Sequence, residues 1–198
     1  MIVFEQIRSA TVKLNYNGVT FMIDPWLADA CTEEEKASAL AERRFIEKPV
    51  CPLPASPEEL AADVDYFLVS HMHADHFSAE YLPLDKPFIF QNTVDMGKGA
   101  NMGFVNISCF SADQPLTLGG ITICRTDARH GDTDELAGRM GTTSGFVFTK
   151  AGEKTIYLAG DTVYCDGVRQ VINQFSPDVI IVNACDARVG SGRLIMNA

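Results

Sequence analysis

Several features that would mark a specialised class of protein are missing from this sequence. Its six cysteines form no Cys-x-x-Cys pair, and no run approaches the roughly 18 apolar residues of a membrane-spanning helix. Basic residues are also scarce, with 16 Lys and Arg against 26 Asp and Glu and a formal net charge of −10. These absences disfavour a disulfide framework, a membrane anchor and long polyanionic partners such as nucleic acids.

What is present is the composition of an ordinary folded protein. Hydrophobic residues make up 46% and charged residues 21% of the 198 positions, which excludes disordered and coiled-coil classes. This length predicts a single domain over residues 1–198. Because residues 1–10 lack a signal-peptide pattern, we interpret the cysteines as free thiols and expect a cytoplasmic protein. Such an acidic surface suits a small-molecule substrate, and the sequence leaves open whether the protein forms an oligomer.

Hydrophobic periodicity and turn residues predict strands that alternate with helices. Helices are expected within residues 31–48, from Ser56 onward and around the apolar positions of residues 168–175. Strands are expected at Ile2–Ile7, Thr11–Tyr16, Val19–Asp24, Val64–Val69, Phe88–Gln91, Phe104–Ile107, Leu116–Leu118, Ile121–Arg125, Phe146–Thr149, Thr155–Ala159 and Asp178–Val182. Because two hairpin signals accompany the helices, we predict an α+β fold whose sheets are not purely parallel.

Three of the four histidines lie within six residues, as His71, His73 and His76, together with Asp75. On a helix, His71 and His73 would point about 200° apart, so we expect the cluster on a loop after the strand Val64–Val69. Crowded imidazoles and a carboxylate are stabilised when a divalent cation takes their lone pairs. The cluster therefore predicts a metal site, and the alternative is a polar surface turn with unconnected histidines.

Further ligands must come from elsewhere in the chain, because one loop cannot surround two ions. His130, the remaining histidine, follows the strand Ile121–Arg125, and Asp161 follows the strand Thr155–Ala159. His130 would supply another imidazole, and the two oxygens of Asp161 suit a carboxylate that bridges two cations. The alternatives are a surface histidine at position 130 and a helix or turn cap at position 161.

The order and context of these motifs resemble the metallo-β-lactamase superfamily along essentially the whole chain. The motifs are Phe21-Met22-Ile23-Asp24-Pro25, His71-Met72-His73-Ala74-Asp75-His76, His130 and Gly160-Asp161-Thr162. Residues 10–16, 24–27 and 192–197 are similar to the bacterial branch related to ascorbate-6-phosphate lactonase. The resemblance implies an αββα sandwich with metal ions at one edge and a hydrolytic, lactonase-like activity.

The resemblance also implies roles for the individual residues. His71, His73 and His130 would bind a first ion, Asp75 and His76 a second, and Asp161 would bridge them. Asp24 would hold the metal loop through hydrogen bonds, and its alternative role is a simple turn before Pro25. Asp75 would act as the catalytic residue that orients the attacking water and carries its proton. Zinc is the expected metal, at one or two ions, with manganese or iron as alternatives.

One departure from the family pattern concerns the second ion. Family members normally supply a further histidine near the C-terminus, and no histidine follows His130. We therefore expect either a fragment that lacks its C-terminal part or a natural short form with a weaker second site. The leading prediction is a metal-dependent hydrolase that uses a metal-activated water on a small-molecule ester, lactone or similar bond. The alternatives are a phosphodiesterase that processes RNA and a metal-binding form without activity.

Overall fold

The computed structural model describes residues 1–42, 46, 48–111 and 114–197, and the chain divides into two units. Residues 1–108 form the N-terminal unit and residues 109–198 the C-terminal unit. Within the described part of the chain, no helix combines the length and the apolar character needed to cross a membrane. All six cysteines are free thiols, as the sequence predicts.

The N-terminal unit is built on a six-stranded sheet with the strand order β1-β2-β3-β4-β5-β6. The first two strand pairs are antiparallel, whereas β3, β4 and β5 run parallel to one another. The strands are β1 (Ile2–Arg8), β2 (Thr11–Tyr16), β3 (Val19–Ile23), β4 (Tyr66–Val69), β5 (Phe88–Phe90) and β6 (Ile107–Cys109), the last of which leads into the C-terminal unit. Because parallel strands end at the same sheet edge, residues that follow β3, β4 and β5 gather there.

Three helices accompany this sheet: α1 (Glu33–Glu42), α2 (Pro57–Ala62) and α3 (Thr93–Asn101). A capping box starts α1, since Thr32 and Glu35 each accept a hydrogen bond from the other's backbone N–H. Residues 43–45 and 47 of the predicted 31–48 helix lie outside the described residues. The same capping arrangement starts α2, where the Ser56 hydroxyl accepts from the Glu59 N–H.

The C-terminal unit contains a five-stranded sheet with the strand order β11-β10-β9-β8-β7. Only the β10 and β11 pair is parallel among the strand pairs of this sheet in the described residues. The strands are β7 (Leu116–Leu118), β8 (Ile121–Ala128), β9 (Thr143–Thr149), β10 (Ile156–Leu158) and β11 (Val179–Ile181), and a separate hairpin pairs β12 (Arg188–Val189) with β13 (Gly192–Arg193). Helices α4 (Asp134–Met140) and α5 (Asp166–Phe175) complete the unit.

Helix α5 packs its apolar face on this sheet. Val168 and Val171 of the helix join Val147, Tyr157 and Ala159 in one buried cluster. The positions of these valines, with Ile172 and Phe175, follow the helical spacing i, i+3, i+4, i+7 that predicts this helix. Packing of the helix here fixes the segment before it, residues 159–165, against the carboxyl end of β10.

The structure differs from the sequence predictions mainly at short elements. The strand predicted at Phe104–Ile107 begins only at Ile107, since Phe104 is buried and its ring packs, tilted by 50°, 4.4 Å from that of Phe88. Helix α3 was not predicted, since Gly97 and Gly99 lower its helix propensity. Gly99 is required by packing, because a Cβ atom there would overlap with the ring of Phe90. Helix α4 and the β12–β13 hairpin were also not predicted.

Candidate metal centre

The histidine loop of residues 71–76 directly follows β4, as the sequence predicts. Its backbone turns where the His76 and Phe77 N–H groups both donate to the His73 carbonyl at 3.0 Å. The ring centre of His71 lies 4.4 Å from that of His73 and 4.1 Å from that of His76. The N-terminal unit therefore gathers three imidazoles, with His71 and His76 buried and His73 half-buried.

Asp24, which directly follows β3, holds this loop through its carboxylate. Its Oδ1 accepts the Ser70 N–H at 2.7 Å, and its Oδ2 accepts the Ser70 hydroxyl at 2.7 Å and His76 Nδ1 at 2.8 Å. The Asp24 backbone has a positive φ of 52°, a conformation that aspartate tolerates better than most residues. The Thr11 hydroxyl donates to the Asp24 carbonyl at 2.6 Å. One residue that is only 1% exposed thus fixes both ends of the turn.

These hydrogen bonds also determine which ring nitrogen carries the proton in two of the histidines. A carboxylate only accepts hydrogen bonds, so the single hydroxyl proton of Ser70 goes to Asp24. The Ser70 oxygen, 3.0 Å from His71 Nδ1, therefore accepts from that nitrogen. His76 Nδ1 donates to Asp24 in the same way. In the neutral rings of His71 and His76, the lone pair consequently resides on Nε2, the nitrogen that a metal ion would bind.

The C-terminal unit brings together His130 and Asp161, which are both buried. His130 Nδ1 lies 3.0 Å from the Leu194 carbonyl oxygen and must donate to it, because a carbonyl only accepts. His130 Nε2 lies 3.4 Å from Asp161 Oδ2. In the neutral ring this places a nitrogen lone pair beside a carboxylate oxygen, and a shared cation stabilises that arrangement of two electron-rich atoms.

The Leu194 carbonyl is itself held in place by the backbone of the chain's last segment. The Leu194 N–H donates to the Ala187 carbonyl at 2.8 Å, across the base of the β12–β13 hairpin. Arg193 and Asp132 form a reciprocal pair, in which each backbone N–H donates to an oxygen of the other residue. Because Asp132 lies two positions after His130, this pair joins the histidine segment to the tail that orients it.

Asp161 follows β10 through a tight turn at Gly160. Gly160 has a φ of 67°, and a Cβ atom there would overlap with the Ser144 carbonyl oxygen. Only glycine combines this conformation with so close an approach of two backbone segments. The Thr143 hydroxyl donates to the Asp161 carbonyl at 2.9 Å, and the Asn183 amide donates to Asp161 Oδ1 at 2.7 Å.

The remaining predicted ligand is Asp75, and three further groups orient the other ligands. Asp75 lies on the histidine loop with an exposed side chain. Sequence reasoning missed Ser70, Asn183 and the Leu194 carbonyl as groups that orient the candidate ligands. Ser70 directly precedes His71 and Asn183 closely follows a strand, so their positions carried a signal, whereas a backbone carbonyl has no residue-type signal at all.

One carboxylate near this tail has a perturbed pKa. Hydrogen bonds from Arg188, and then from Arg193, lower the pKa of Asp186 below the usual range of an aspartate. Asp186 Oδ2 accepts from Arg188 Nε at 2.9 Å, and Asp186 Oδ1 accepts from Arg193 Nε at 2.7 Å. This partly exposed ionic cluster contacts both strands of the β12–β13 hairpin, next to the carbonyl that orients His130.

Within each unit, the donor chemistry fits a divalent transition-metal ion. Imidazole nitrogens and carboxylate oxygens are the ligands that zinc, manganese and iron accept. Three histidines, His71, His76 and His130, have Nδ1 bonded to an oxygen acceptor, the arrangement typical of metal-binding histidines. A surface turn with unconnected histidines would not require such a set of buried hydrogen bonds.

Comparison with known proteins also indicates a metal-dependent protein, and the similarity covers most of the chain. Residues 20–190 match the family described as beta-lactamase superfamily domain. The UPF0173 protein YddR of Bacillus subtilis is 34% identical over 195 residues, which cover 96% of this chain and 75% of YddR. All six candidate ligands lie within the residues that match the family.

Two solved structures share the fold of this chain. A possible metal-dependent hydrolase from Veillonella parvula has a TM-score of 0.83 and 30% identity, with 98% of this chain and 76% of that chain covered. An isothiocyanate hydrolase from Delia radicum gut bacteria has a TM-score of 0.84 and 32% identity, with coverage of 100% and 77%. The predicted α+β fold is therefore confirmed, as is the assignment to metal-dependent hydrolases. The chain belongs to the metallo-β-lactamase superfamily and, within it, to the UPF0173 family of metal-dependent hydrolases.

Proposed function

We propose that this protein hydrolyses a small molecule with divalent cations bound by the six ligands that the sequence predicts. The observation that carries this proposal is the shared state of three buried histidines. In His71, His76 and His130, Nδ1 donates a hydrogen bond to an oxygen, so Nε2 carries the lone pair of the neutral ring. The ligands are His71, His73, Asp75, His76, His130 and Asp161.

The family resemblance supports a division of these ligands between two ions. His71, His73 and His130 would hold the first ion, Asp75 and His76 the second, and Asp161 would serve both. A site with three imidazoles suits zinc, whereas the second position, with one imidazole and two carboxylates, also suits manganese or iron. We expect the first ion to bind more tightly, because it would have four protein ligands and the second ion three.

The chemistry that a bound divalent cation supplies is Lewis acidity, which lowers the pKa of a water molecule and polarises the bond to be hydrolysed. The chain's own groups then supply orientation and proton transfer. His76 Nδ1 donates a hydrogen bond to Asp24, and His71 Nδ1 donates one to Ser70. These hydrogen bonds hold both rings in a fixed orientation. Asp75, whose side chain is exposed, can accept a proton from water and pass it to a leaving group.

The substrate that we propose contains an electrophilic carbon in an ester, a lactone or a similar bond, as the resemblance to lactonases implies. The acidic composition, with a net charge of −10, favours a small substrate over a long polyanion. Isothiocyanates are a second candidate, because a protein named isothiocyanate hydrolase is 32% identical and shares the fold. Addition of water to the central carbon of an isothiocyanate, followed by cleavage of its carbon–nitrogen bond, gives an amine and carbonyl sulfide.

Metal reconstitution followed by a substrate panel tests this proposal. Protein stripped with a chelator is reloaded with Zn²⁺, Mn²⁺ or Fe²⁺, and metal content is measured beside activity. The panel contains an aryl ester, a lactone, an aryl isothiocyanate, a phosphodiester and a short RNA. We expect metal-dependent turnover of one carbon electrophile. Protein that binds no transition metal would overturn the proposal, and preferential cleavage of phosphodiesters or metal binding without turnover would establish one of the two alternatives.

Asp75→Asn provides the first specific prediction. The amide cannot accept and release a proton, so kcat should fall by roughly 10²–10⁴-fold while the tighter ion remains bound. The matched control is Asp85→Asn, which changes an exposed aspartate of the same unit outside the ligand set. Turnover should be unchanged in that control, and an Asp75→Asn protein of normal activity would remove the proposed proton-carrying role.

A further inference from the structure

Asn183 lies beside Asp161 because the two residues leave neighbouring parallel strands. Strands β10 and β11 are in register, with Leu158 opposite Ile181. The pairing continues one step further, since the Ala159 N–H donates to the Ile181 carbonyl at 2.9 Å. The chain segments after both strands therefore emerge at the same sheet edge, although Asp161 and Asn183 are 22 residues apart in sequence.

The contact between them makes the two carboxylate oxygens of Asp161 different. Asn183 Nδ2 lies 2.7 Å from Asp161 Oδ1, and the amide must be the donor because the carboxylate only accepts. Asp161 Oδ2 is the oxygen that lies 3.4 Å from His130 Nε2. One oxygen thus holds an amide proton, and the other stands beside the imidazole lone pair in a residue that is only 5% exposed.

We infer that Asn183 is a positioning residue that makes Oδ2 the oxygen Asp161 offers to a cation. This inference rests on the proposed function, since it assigns a role to Asn183 within that site. The amide hydrogen bond takes one lone pair of Oδ1 and favours one orientation of the carboxylate. Asp161 would then serve the cations through Oδ2 and would not chelate one ion with both oxygens.

Loss of the amide donor has two consequences that can be measured. Oδ1 becomes available as a second ligand atom, so the coordination number of the bound ion rises. The carboxylate also loses its fixed orientation, and loss of such supporting contacts typically costs roughly 10–100-fold in metal affinity. A residue that only stabilises the fold would change the free energy of unfolding of the metal-free protein and leave both properties of the bound ion unchanged.

Cobalt titration of the full chain tests this role, because Co²⁺ reports its coordination number by visible absorption. Asn183→Leu removes the donor and keeps the branched shape of the side chain. We expect a dissociation constant for Co²⁺ that is roughly 10–100-fold higher than in the unchanged protein, and weaker absorption per bound ion. Asn173→Leu, on the exposed side of α5, is the control and should behave like the unchanged protein.

A second variant, Asn183→Asp, keeps the shape of the side chain and replaces the donor with an acceptor. It should also alter the Co²⁺ spectrum, and it provides the test if Asn183→Leu does not fold. Unchanged spectra in the folded Asn183 variants would overturn the inference while leaving the proposed function intact. An unchanged protein that binds no Co²⁺ and no other transition metal would instead contradict the proposed function itself.

Discussion

The histidine loop of the N-terminal unit and the His130–Asp161 pair of the C-terminal unit are held in place by different means. In the loop, a single buried carboxylate, Asp24, receives hydrogen bonds from both Ser70 groups and from His76. In the pair, His130 is oriented by a backbone carbonyl, whereas Asp161 is oriented by a glycine turn and an asparagine amide. The first arrangement depends on one side chain, and the second is distributed over three chain segments.

This difference predicts how each ligand set responds to substitution. Loss of Asp24 removes the acceptor of three buried donors at once, so the loop should fail as a whole. Loss of any one contact around His130 and Asp161 leaves the others in place, so the pair should fail in part. Substitutions in the two units therefore test whether the candidate ligands are held by one side chain or by several independent contacts.

Asp24→Asn should produce the largest effect on stability. The amide suits the left-handed backbone conformation of this residue, so the change isolates the side-chain chemistry. It removes the buried charge and places an NH₂ group among donors from Ser70 and His76. Each buried donor left without an acceptor typically costs about 1–3 kcal/mol in the free energy of unfolding, and the donors of Ser70 and His76 are affected together. Urea denaturation and metal content measure the two expected losses.

The control for this substitution is Asp63→Asn, which breaks the exposed ion pair between Asp63 and Lys13. Exposed ion pairs contribute about 0–1 kcal/mol, so stability and metal content should stay close to those of the unchanged protein. If Asp24→Asn behaved like this control, the hypothesis that one carboxylate holds the histidine loop would be wrong. The two units would then not differ in how their candidate ligands are held.

Gly160→Ala should have the next largest effect, in the C-terminal unit. A Cβ atom at this position would overlap with the Ser144 carbonyl oxygen, and the positive φ adds backbone strain. Together these terms predict a loss of about 2–4 kcal/mol in the free energy of unfolding, with Asp161 displaced from His130. Thermal unfolding and metal titration of the folded variant measure both consequences.

Gly152→Ala separates the strain from the overlap. Gly152 also has a positive φ, of 80°, but a Cβ atom there would meet no atom within 4 Å. Its substitution should therefore cost only the backbone term, about 1–2 kcal/mol, and should leave metal binding unchanged. Equal losses in the two variants would show that close backbone approach does not fix Asp161.

The sequence predicts the histidine loop well because its donors are contiguous and lie at the end of an apolar strand. His71, His73 and His76 carry the signal in their own residue types and spacing. The strands that precede Asp24, His130 and Asp161 are also recognisable, since each contains a short run of apolar residues. The fold class and the segments that carry the candidate ligands therefore follow from local pattern and family resemblance.

The supporting contacts do not follow from local pattern. Asn183 reaches Asp161 only because β10 and β11 are parallel, and single-sequence periodicity does not distinguish parallel from antiparallel partners. Leu194 acts through its carbonyl, so its side chain gives no indication of that contact. Helix α3 is hidden by Gly97 and Gly99, although packing against Phe90 requires the second of these glycines. These features depend on contacts between residues far apart in sequence, which local sequence pattern does not contain.

The smallest effect is expected from acid titration of Asp186 in the C-terminal unit. Unlike Asp24, which is buried, Asp186 is half-buried. Hydrogen bonds from Arg188 and Arg193 lower the pKa of Asp186, so the NMR titration midpoint of its carboxyl carbon should lie below the roughly 3.9 of an ordinary aspartate. A lowered folded-state pKa means that the stabilisation is complete above the unfolded-state pKa and is lost as the pH falls through the folded-state pKa.

The β12–β13 hairpin should therefore lose amide protection only at strongly acidic pH, and Arg188→Gln should raise the Asp186 midpoint towards the ordinary value. The hydrogen bond from His130 to Leu194 does not involve this carboxylate. Backbone hydrogen bonds on both sides of Leu194 remain when Asp186 is protonated, because they contain no titratable group. A distributed support thus predicts a hairpin that loosens while Leu194 keeps its amide protection. Simultaneous loss of protection at Leu194 and in the hairpin would instead indicate that the C-terminal unit, like the histidine loop, depends on one carboxylate.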